Sequence, residues 1–370
     1  MVIKKMMIGK LSGLAKLRFF PVINLFLCLQ CTSAINPKSE FVMGTLCTID
    51  LFEDGSSALY ERLFARLAEL ENILSANRDD SELAKVNRNA GLKPVEISFE
   101  LFTVLERALF FAEATDGAFD PAVGPLVKLW GIGTETPHLP SDEEIASALA
   151  LVNFRYVELS RGGSENSGNA APGGTAFLKR QGMALDLGAI AKGYAVDELA
   201  HILEEEGVKR ALIDLGGNIY VWGKKPNGDP WRIGVQDPLK KRGNYSGVLE
   251  LEGSVSVVSS GTYERFFTGD DGKRYHHILE LSENGQGRRG YPVENSVLST
   301  TIIAPSSMDA DALSTSCFVL GCEKGMALAK ANGAEALFIM EEFSQIGEKT
   351  GSVTISGSSG AMAIFTPSDD

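Results

Sequence analysis

Apolar residues recur at helical spacing through the first third of the chain and again near its end. Between residues 56 and 74, leucines stand at positions 59, 63, 67, 70 and 74, which predicts a helix with one face in the core. Residues 98–115 repeat this pattern with Leu101, Leu105 and Ala108 on one side. Shorter patterns predict helices over residues 142–151, 194–206 and 324–331, and one that ends at residue 320.

Runs of β-branched and aromatic residues between turn residues predict strands. The first covers residues 41–52, where Met43-Gly44-Thr45 interrupts the run; a bulge and a close approach by a ligand explain the glycine equally well. Because helices dominate the first third and strands with interspersed helices follow, we predict an α+β fold with a partly antiparallel sheet. The other predicted strands cover residues 156–159, 211–217, 231–238, 254–259, 297–303, 336–340, 352–355 and 361–365.

Composition limits the classes of function. The 370 residues carry a net charge of -13, and 44% of them are hydrophobic. A chain of this size can bury a sizeable core, so we expect one large domain or two subdomains. The acidic balance argues against a nucleic-acid partner. No internal stretch is long and apolar enough to span a bilayer.

The first 34 residues differ in kind from the rest. Basic residues at positions 4, 5, 10, 16 and 18 precede an apolar run over residues 19–29. This arrangement predicts a secretory signal over residues 1–34, with an amphipathic N-terminal helix as the alternative. Cys31 is a candidate for lipidation after cleavage, and cleavage after Ala34 is the rival. We therefore expect a folded domain over residues 35–370 in an extracytoplasmic, periplasmic location. Its only membrane attachment would be a lipid on Cys31, if cleavage precedes that residue.

The cysteines do not suggest a redox or zinc centre. Cys28 and Cys31 lie inside the predicted signal, so their Cys-x-x-Cys spacing carries little weight. Cys47, Cys317 and Cys322 remain, and three cysteines cannot all pair within the chain. Buried free thiols are favoured over a Cys317–Cys322 disulfide.

Two distant stretches carry the chemistry of the chain. In residues 182–193 an apolar run ends in Asp186 and leads through a glycine turn to Lys192, Gly193 and a helix. A strand, a glycine-bearing loop and a helix start offer free N–H groups and a dipole to an anion. The alternative is that Asp186 caps the next element.

The second stretch, residues 309–315, places Asp309, Asp311, Ser314 and Thr315 within about two helical turns. Asp311 and Thr315 are four residues apart and share a helix face. A carboxylate and a hydroxyl suit a hard cation such as Mg²⁺, which often keeps substrate phosphate in its shell. The alternative is an ordinary helix start with capping acids. Together the two stretches predict a site for a metal-bound phosphate compound.

Other segments add candidate pocket residues. The turn over residues 116–121 holds an aromatic residue between two acids, which can line a pocket, and a predicted strand ends at Gly216 and Gly217, where a backbone can approach a ligand. His276 and His277 are adjacent, so in an extended segment they point to opposite faces and at most one enters a site.

With these pieces in place, the chain resembles the FAD:protein FMN transferase family, the ApbE-like flavin transferases. The resemblance rests on an ordered series of motifs and covers about residues 41–365. The series is Met43-Gly-Thr45, Ser81-Glu82 with Asn87, Asp116-Gly-Ala-Phe-Asp-Pro121, Asp186-Leu-Gly-Ala-Ile-Ala-Lys-Gly193, Leu215-Gly-Gly217, Ser260-Gly261, Tyr275-His-His-Ile278 and Ala310-Asp-Ala-Leu-Ser-Thr315.

The resemblance implies a fold, an activity and a set of site residues. It implies one catalytic unit of two intimately packed subdomains with mixed or antiparallel sheets and helices. It also implies Mg²⁺-dependent cleavage of FAD, with FMN attached by a phosphoester bond to a threonine or serine of an extracytoplasmic acceptor protein. Asp311 and Thr315 would bind the metal with the backbone oxygen of Ala189. The implied FAD-binding residues are Met43, Asn77, Ala118, Phe119, Asp120, Asp186, Lys192 and Ile278.

The resemblance places His277 and Asp311 at the reacting pyrophosphate. Breaking a phosphoanhydride requires mostly positioning and neutralisation of charge. An acceptor hydroxyl, deprotonated by His277 or by a ligand carboxylate, would then attack in line. The sequence leaves open which of these groups is the base.

Two departures from the family pattern affect this interpretation. Asn77 stands where the family typically has an aromatic residue, which would stack on the substrate and exclude water. This departure suggests an alternative activity, hydrolysis of FAD to FMN and AMP. A non-catalytic flavin-binding lipoprotein is a further alternative. After His277, Glu280-Leu281 and a longer polar loop replace the family's usual Asp-Pro and compact turn, so this edge of the site is less well defined.

Overall fold

The computed structural model describes residues 37–162, 173–225, 227–281, 287–344 and 349–368. The predicted signal and Cys31 lie outside these residues, as does most of the glycine- and serine-rich loop after residue 160. Within the described residues no helix combines the length and apolarity that crossing a membrane requires. The helices are α1 Ser57–Leu74, α2 Glu82–Arg88, α3 Phe99–Ala114, α4 Gly124–Trp130, α5 Asp142–Leu149, α6 Ala191–Glu205, α7 Ser307–Ala331 and α8 Ser359–Ile364.

An antiparallel sheet of eight strands forms the centre of the described fold. Its strand order is β1-β2-β6-β7-β10-β13-β14-β15, and each neighbouring pair is antiparallel. The strands are β1 Lys38–Val42, β2 Thr45–Asp50, β6 Arg210–Leu215, β7 Asn218–Gly223, β10 Val255–Gly261, β13 Val297–Ala304, β14 Glu335–Phe343 and β15 Lys349–Gly357.

Three small antiparallel sheets surround the central one. Their strand orders are β3-β5-β4, β16-β9-β8 and β11-β12. Helices and antiparallel sheets thus make up one α+β unit, so the predicted fold class is confirmed. The strands are β3 Val95–Ile97, β4 Val157–Arg161, β5 Gly174–Leu178, β8 Trp231–Gln236, β9 Tyr245–Leu251, β11 Phe266–Thr268, β12 Arg274–His276 and β16 Phe365–Pro367.

The central sheet packs against other elements on both faces. Successive residues of a strand point to opposite faces, so neighbouring residues belong to different cores. On β10, Val258 joins the large core that includes the helices, whereas Val257 joins a smaller core under β8 and β9. On β13, Ile302 joins the large core and Ile303 joins the smaller one. Helices therefore cover one face and the β16-β9-β8 sheet covers part of the other. The predicted leucine face of α1 is buried in the large core, which confirms that helix.

Several predicted elements differ from the structure. Residues 41–52 form a hairpin instead of one strand, because Met43 (φ 54°) and Gly44 (φ 70°) are both left-handed and reverse the chain, as two-residue hairpin loops require. The apolar run before Asp186 is a buried loop rather than a strand. The strand predicted over residues 361–365 is wrong for its first four residues, which belong to α8, and β16 begins at Phe365. So short an apolar run fits a helix as well as a strand.

The end of α7 agrees with the prediction of two helices. Gly321 has φ 79° and ψ 174°, which interrupts the helical path between residue 320 and residue 324. Cys47 and Cys317 are buried, Cys322 is partly buried, and all three are free thiols. Cys317 donates to the carbonyl of Gly325 instead of bridging to Cys322.

Candidate active site

A cavity of ≈ 2150 Å³ brings together residues from most of the predicted motifs. Ligand pockets typically measure about 300–1,000 Å³, so this cavity has room for more than one small ligand. The lining includes the predicted residues Asn77, Ala118, Phe119, Asp120, Asp186, Ala189, Lys192, His277, Ile278, Asp311 and Thr315.

Met43 is not among the residues that line the cavity. It occupies the turn of the β1–β2 hairpin and packs partly buried against the large core. Its neighbour Thr45 does line the cavity. The geometry of the turn therefore brings Thr45, rather than the Met43 side chain, to the cavity wall.

Helices α6 and α7 meet at the wall of the cavity in a contact that we call the α6–α7 seam, formed by residues 192–197 and 306–315. The Gly193 N–H donates to Asp311 Oδ2 at 2.9 Å, and Lys192 Nζ lies 3.5 Å from Asp311 Oδ1. A Cβ on Gly193 would lie 2.2 Å from the Ser307 carbonyl oxygen, so only glycine permits this approach. The seam thereby fixes the carboxylate that the sequence predicts as a metal ligand.

The start of α7 is anchored by a carboxylate of α6. Asp197 accepts hydrogen bonds from the N–H of Ser307 (2.7 Å), the N–H of Met308 (3.0 Å) and the hydroxyl of Ser306 (3.0 Å). These groups are donors that a helix start leaves without helical partners. Burial raises the pKa of Asp197, and the three hydrogen bonds oppose that rise. Asp197 therefore joins the two helices at the point where α7 begins.

The two acids of the predicted turn point in different directions. Asp309 forms a bidentate ion pair with Arg107 of α3, with N–O distances of 2.6 and 2.7 Å. Asp311 is only 3% exposed and lines the cavity. Asp309 therefore holds α7 against α3, and Asp311 is the carboxylate available to a ligand.

The groups around Asp311 offer oxygen donors that fit a hard cation. Thr315 lines the same wall, and its hydroxyl lies 3.4 Å from Ser260 Oγ. Ala189 lies just before α6, which begins at Ala191, and it lines the same cavity, so the predicted carbonyl ligand is at the same site as Asp311 and Thr315. One carboxylate, one hydroxyl and one carbonyl suit Mg²⁺, which keeps several waters and binds few protein groups. Among the described residues no three His, Cys, Asp or Glu side chains form a metal cluster.

The adjacent histidines have separate roles, as the sequence predicts for an extended segment. His276 is buried; its Nε2 lies 3.1 Å from the Val293 carbonyl oxygen, and its ring contacts Phe318 edge-on. His277 lines the cavity, and its Nδ1 lies 3.2 Å from the Arg265 carbonyl oxygen. A carbonyl only accepts, so Nδ1 carries the proton and Nε2 keeps a lone pair. Burial lowers the pKa of His277, and the positive charge of Arg265 lowers it further, to about 3. The neutral ring is therefore favoured.

Asp120 and Asp186 hold the loops that form the cavity wall. Asp120 accepts from the N–H groups of Ala122 (2.7 Å) and Phe154 (2.9 Å), and burial raises its pKa to about 6. Asp186 accepts from the Gly188 N–H at 2.8 Å, and burial raises its pKa as well. Both predicted binding residues therefore also set the shape of the backbone around the cavity.

The Asn77 loop is tied to the start of α2. The Asn77 N–H donates to Ser75 Oγ at 3.2 Å, and the Ser81 hydroxyl donates to the Ser75 carbonyl at 2.6 Å. Asn87 of α2 exchanges two hydrogen bonds with the backbone of Leu185, at 3.0 and 2.7 Å. These contacts join the Asn77 side of the cavity to the loop that precedes α6.

Sequence reasoning missed two charged residues of the cavity, Glu264 and Arg265. Glu264 is exposed to the cavity but surrounded by protein, and this burial raises its pKa to about 7. Lys192 and Arg265 oppose that rise, and Asp311 adds to it, so the four charged groups lie within electrostatic reach of one another. In the sequence both residues stand between aromatic residues in a segment that joins two predicted strands, where no motif marks them as site residues.

Several known proteins are similar to this chain in sequence. The family model described as "ApbE family" matches residues 43–338. The FAD:protein FMN transferase of Treponema pallidum is 42% identical over 319 residues, which cover 82% of this chain and 84% of the relative. The corresponding protein of Klebsiella pneumoniae is 37% identical over 302 residues, 81% of this chain and 88% of the relative.

Solved structures show the same fold. The flavin transferase ApbE from Vibrio cholerae superposes with a TM-score of 0.74 at 30% identity, covering 89% of this chain and 98% of that structure. The ApbE protein from Thermotoga maritima superposes with a TM-score of 0.72 at 31% identity, covering 89% and 98%. This chain belongs to the ApbE family.

Proposed function

We propose that this protein transfers the FMN half of FAD to a threonine or serine hydroxyl of an acceptor protein, with Mg²⁺ as the metal. The observation that carries the proposal is the α6–α7 seam, which presents Asp311, Thr315 and Lys192 to the same cavity as His277. The relatives that share this fold are named for the same activity.

The reaction exchanges one P–O bond for another. The acceptor oxygen forms a bond to the FMN phosphorus, the anhydride P–O bond breaks, AMP leaves, and the hydroxyl proton ends on AMP or solvent. A bound Mg²⁺ would neutralise charge on the phosphates, held by Asp311, Thr315 and the Ala189 carbonyl. Lys192 and Arg265 add positive charge along the cavity wall, and the loop before α6 positions the anion.

We assign His277 as the base that takes the proton from the acceptor hydroxyl. Its Nδ1–H is held by the Arg265 carbonyl, which fixes the ring and leaves Nε2 as the acceptor. The unprotonated Nε2 can take up a proton, as a base must in this step. Asp311 is a weaker candidate because its Oδ2 already accepts from the Gly193 N–H and its Oδ1 faces Lys192.

Covalent flavin on acceptor proteins tests the proposal. The protein is mixed with FAD, Mg²⁺ and an extract of extracytoplasmic proteins, and flavin fluorescence is read in a denaturing gel while AMP is measured in solution. We expect fluorescent bands and AMP with Mg²⁺, and neither with EDTA. A protein that binds FAD but forms no AMP under any condition would be a flavin-binding protein, and the proposal would be wrong.

A second activity, hydrolysis of FAD to FMN and AMP, is favoured by Asn77. Asn77 lines the cavity where an aromatic side chain would cover the substrate, so water can enter beside the anhydride. Incubation with FAD and Mg²⁺ but no acceptor separates this activity from transfer. AMP above an EDTA control supports hydrolysis, and its absence rejects it.

We also propose an extracytoplasmic location, with a lipid on Cys31 as the membrane attachment. The support is the basic, then apolar, composition of residues 1–34. Metabolic labelling with a radioactive fatty acid tests it, using Cys31→Ser as the comparison. Label retained in the variant would exclude Cys31 as the attachment site.

A further inference from the structure

One end of the cavity is formed by the tip of the β8–β9 hairpin. Residues 239–245 of this hairpin, which we call the basic rim, contain Lys240, Lys241 and Arg242 in succession. All seven residues except Asn244 line the cavity. Leu239 (48% exposed) and Tyr245 (50% exposed) add apolar surface beside the three cations. The basic rim is therefore a mixed cationic and apolar surface at the edge of the site.

The charge of the basic rim is opposite to that of the whole chain. The chain carries a net charge of -13, so an acidic partner is repelled by the protein as a whole. Lys240 lies 3.6 Å from Asp237. Lys241 and Arg242 are exposed, and among the described residues neither forms an ion pair. Positive charge is therefore available locally on a protein that is otherwise strongly negative.

The hairpin tip is held in a defined conformation. The Asp237 N–H donates to the Asn244 carbonyl at 2.8 Å, and the Gly243 N–H donates to Gln236 Oε1 at 3.0 Å. The Asn244 side chain donates to the Lys241 carbonyl at 2.7 Å. A surface that is ordered before binding loses less entropy when a partner binds.

The basic rim is continuous with the reaction centre. Arg242, Tyr263 and Glu264 line the same cavity, and the positive charge of Arg242 opposes the rise in pKa that burial causes in Tyr263 and Glu264. Residues 263–265 line the same cavity as the rim, so a chain lying on the rim can reach them.

We propose that the basic rim binds an acidic segment of the acceptor protein, close to the hydroxyl that receives FMN. This inference rests on the proposed transfer and adds the chemistry of the acceptor. The cavity volume leaves space beyond one small ligand, Lys241 and Arg242 attract carboxylates, and Leu239 and Tyr245 contact an apolar side chain of the same segment. The surface thereby selects, among exposed threonines and serines, those with acidic neighbours.

Peptide binding tests this inference separately from catalysis. Two short labelled peptides carry one central threonine, flanked in one by Asp and Glu and in the other by Asn and Gln. Fluorescence anisotropy measures their affinity for the protein at low and high salt. We expect the acidic peptide to bind about tenfold tighter at low salt, with the advantage reduced at high salt. Net charge alone predicts the opposite order, so a tighter neutral peptide would overturn the inference.

Charge reversal locates the binding surface. Lys241→Glu should remove the preference for the acidic peptide, whereas Lys324→Glu, which makes the same charge change at an exposed position of α7 outside the cavity lining, should keep it. If both variants lose the preference for the acidic peptide equally, the change in net charge explains the loss and the inference is rejected.

The affinity for FAD separates the two possible occupants of the rim. If Lys241→Glu weakens FAD as much as it weakens the peptide, the rim belongs to the dinucleotide and the inference is wrong. AMP release is scored in the same samples. Absence of AMP with wild-type protein would count against the proposed transfer, whereas AMP without charge preference in peptide binding would count only against the rim.

Discussion

The α6–α7 seam and the basic rim lie at the same cavity but are built in opposite ways. In the seam, Asp197 and Asp311 bind backbone N–H groups of the opposing helix, and Gly193 allows the two backbones to touch. In the rim, Lys241 and Arg242 project from a hairpin tip with their charges exposed. The reacting groups are thus fixed by contacts with the opposing helix, whereas in the rim hydrogen bonds hold the hairpin backbone and the side chains of Lys241 and Arg242 stay exposed.

This difference shows how one fold can keep its chemistry and vary its partner. A small displacement of a catalytic group lowers the rate strongly, so such groups need rigid supports. Exposed charges alter association and specificity with little effect on folding. We therefore expect substitutions in or beside the seam to act on catalysis or stability, and substitutions at the cavity edges to act on the choice of reaction partner.

The largest effect is expected from His277→Gln. Loss of the base should lower the rate of covalent flavin formation about 10³-fold while FAD affinity stays nearly the same. The rate and the affinity are measured by in-gel fluorescence and by FAD titration. His201→Gln is the matched control, because that side chain is 72% exposed on α6 and lies outside the cavity lining. A rate within tenfold of wild type would show that another group takes the proton.

The next effect concerns the anchor of α7. Asp197→Ala removes the acceptor for two backbone N–H groups and one hydroxyl, so the free energy of unfolding should fall by about 3 kcal/mol. Urea denaturation measures this change. Glu204→Ala, at an exposed position of the same helix, should change stability by less than about 0.5 kcal/mol. Equal stabilities of the two variants would contradict the role of Asp197 in the seam.

A smaller effect should appear as a dependence of stability on pH. Burial lowers the pKa of His276 from 6.5 to about 4, so the folded protein favours its neutral form. Its contribution is full above the unfolded pKa and is lost as pH falls through the interval from about 6.5 to about 4. At pH 5 the loss should be about 2 kcal/mol. His276→Gln should make the curve of melting temperature against pH less steep in this interval, with the remaining slope contributed by His277, and an unchanged slope would exclude His276 as a cause.

The smallest effect is expected at the Asn77 edge. An aromatic ring in Asn77→Tyr would cover the anhydride, so hydrolysis of FAD should fall about tenfold relative to transfer. AMP formed without acceptor and flavin bound to acceptor are measured side by side. Asn227→Tyr, at an exposed position outside the cavity lining, should leave the ratio unchanged. A ratio equally unaffected in Asn77→Tyr would reject the link between Asn77 and water access.

The sequence predicts the elements whose pattern has a single interpretation. The five leucines of α1 fit only a helix of that length, and Asp311 and Thr315 lie on one face whatever surrounds them. The segment before Asp186 has no such unique pattern. Its alternating buried residues resemble a strand, but the Asp186 N–H bonds to the Pro121 carbonyl (2.9 Å) and Leu185 bonds to the Asn87 side chain.

The remaining errors come from contacts distant in sequence. Asp309 has the same local pattern as Asp311, and only the position of Arg107 on α3 decides that it forms an ion pair outside the cavity. Glu264 and Arg265 enter the cavity because the chain returns between β10 and β11. No local periodicity encodes such a return, so the sequence alone did not identify these residues.

The central claim is that Asp311 at the α6–α7 seam holds the metal at which FAD is cleaved. The most direct test compares Asp311→Asn with Asp309→Asn, two residues apart on one helix, by measuring Mg²⁺-dependent AMP release from FAD in the presence of acceptor extract. We predict that Asp311→Asn lowers AMP release about 10³-fold and that Asp309→Asn, which loses only the ion pair with Arg107, stays within about threefold of wild type. Equal activities of the two variants, or full Mg²⁺-dependent activity of Asp311→Asn, would contradict it.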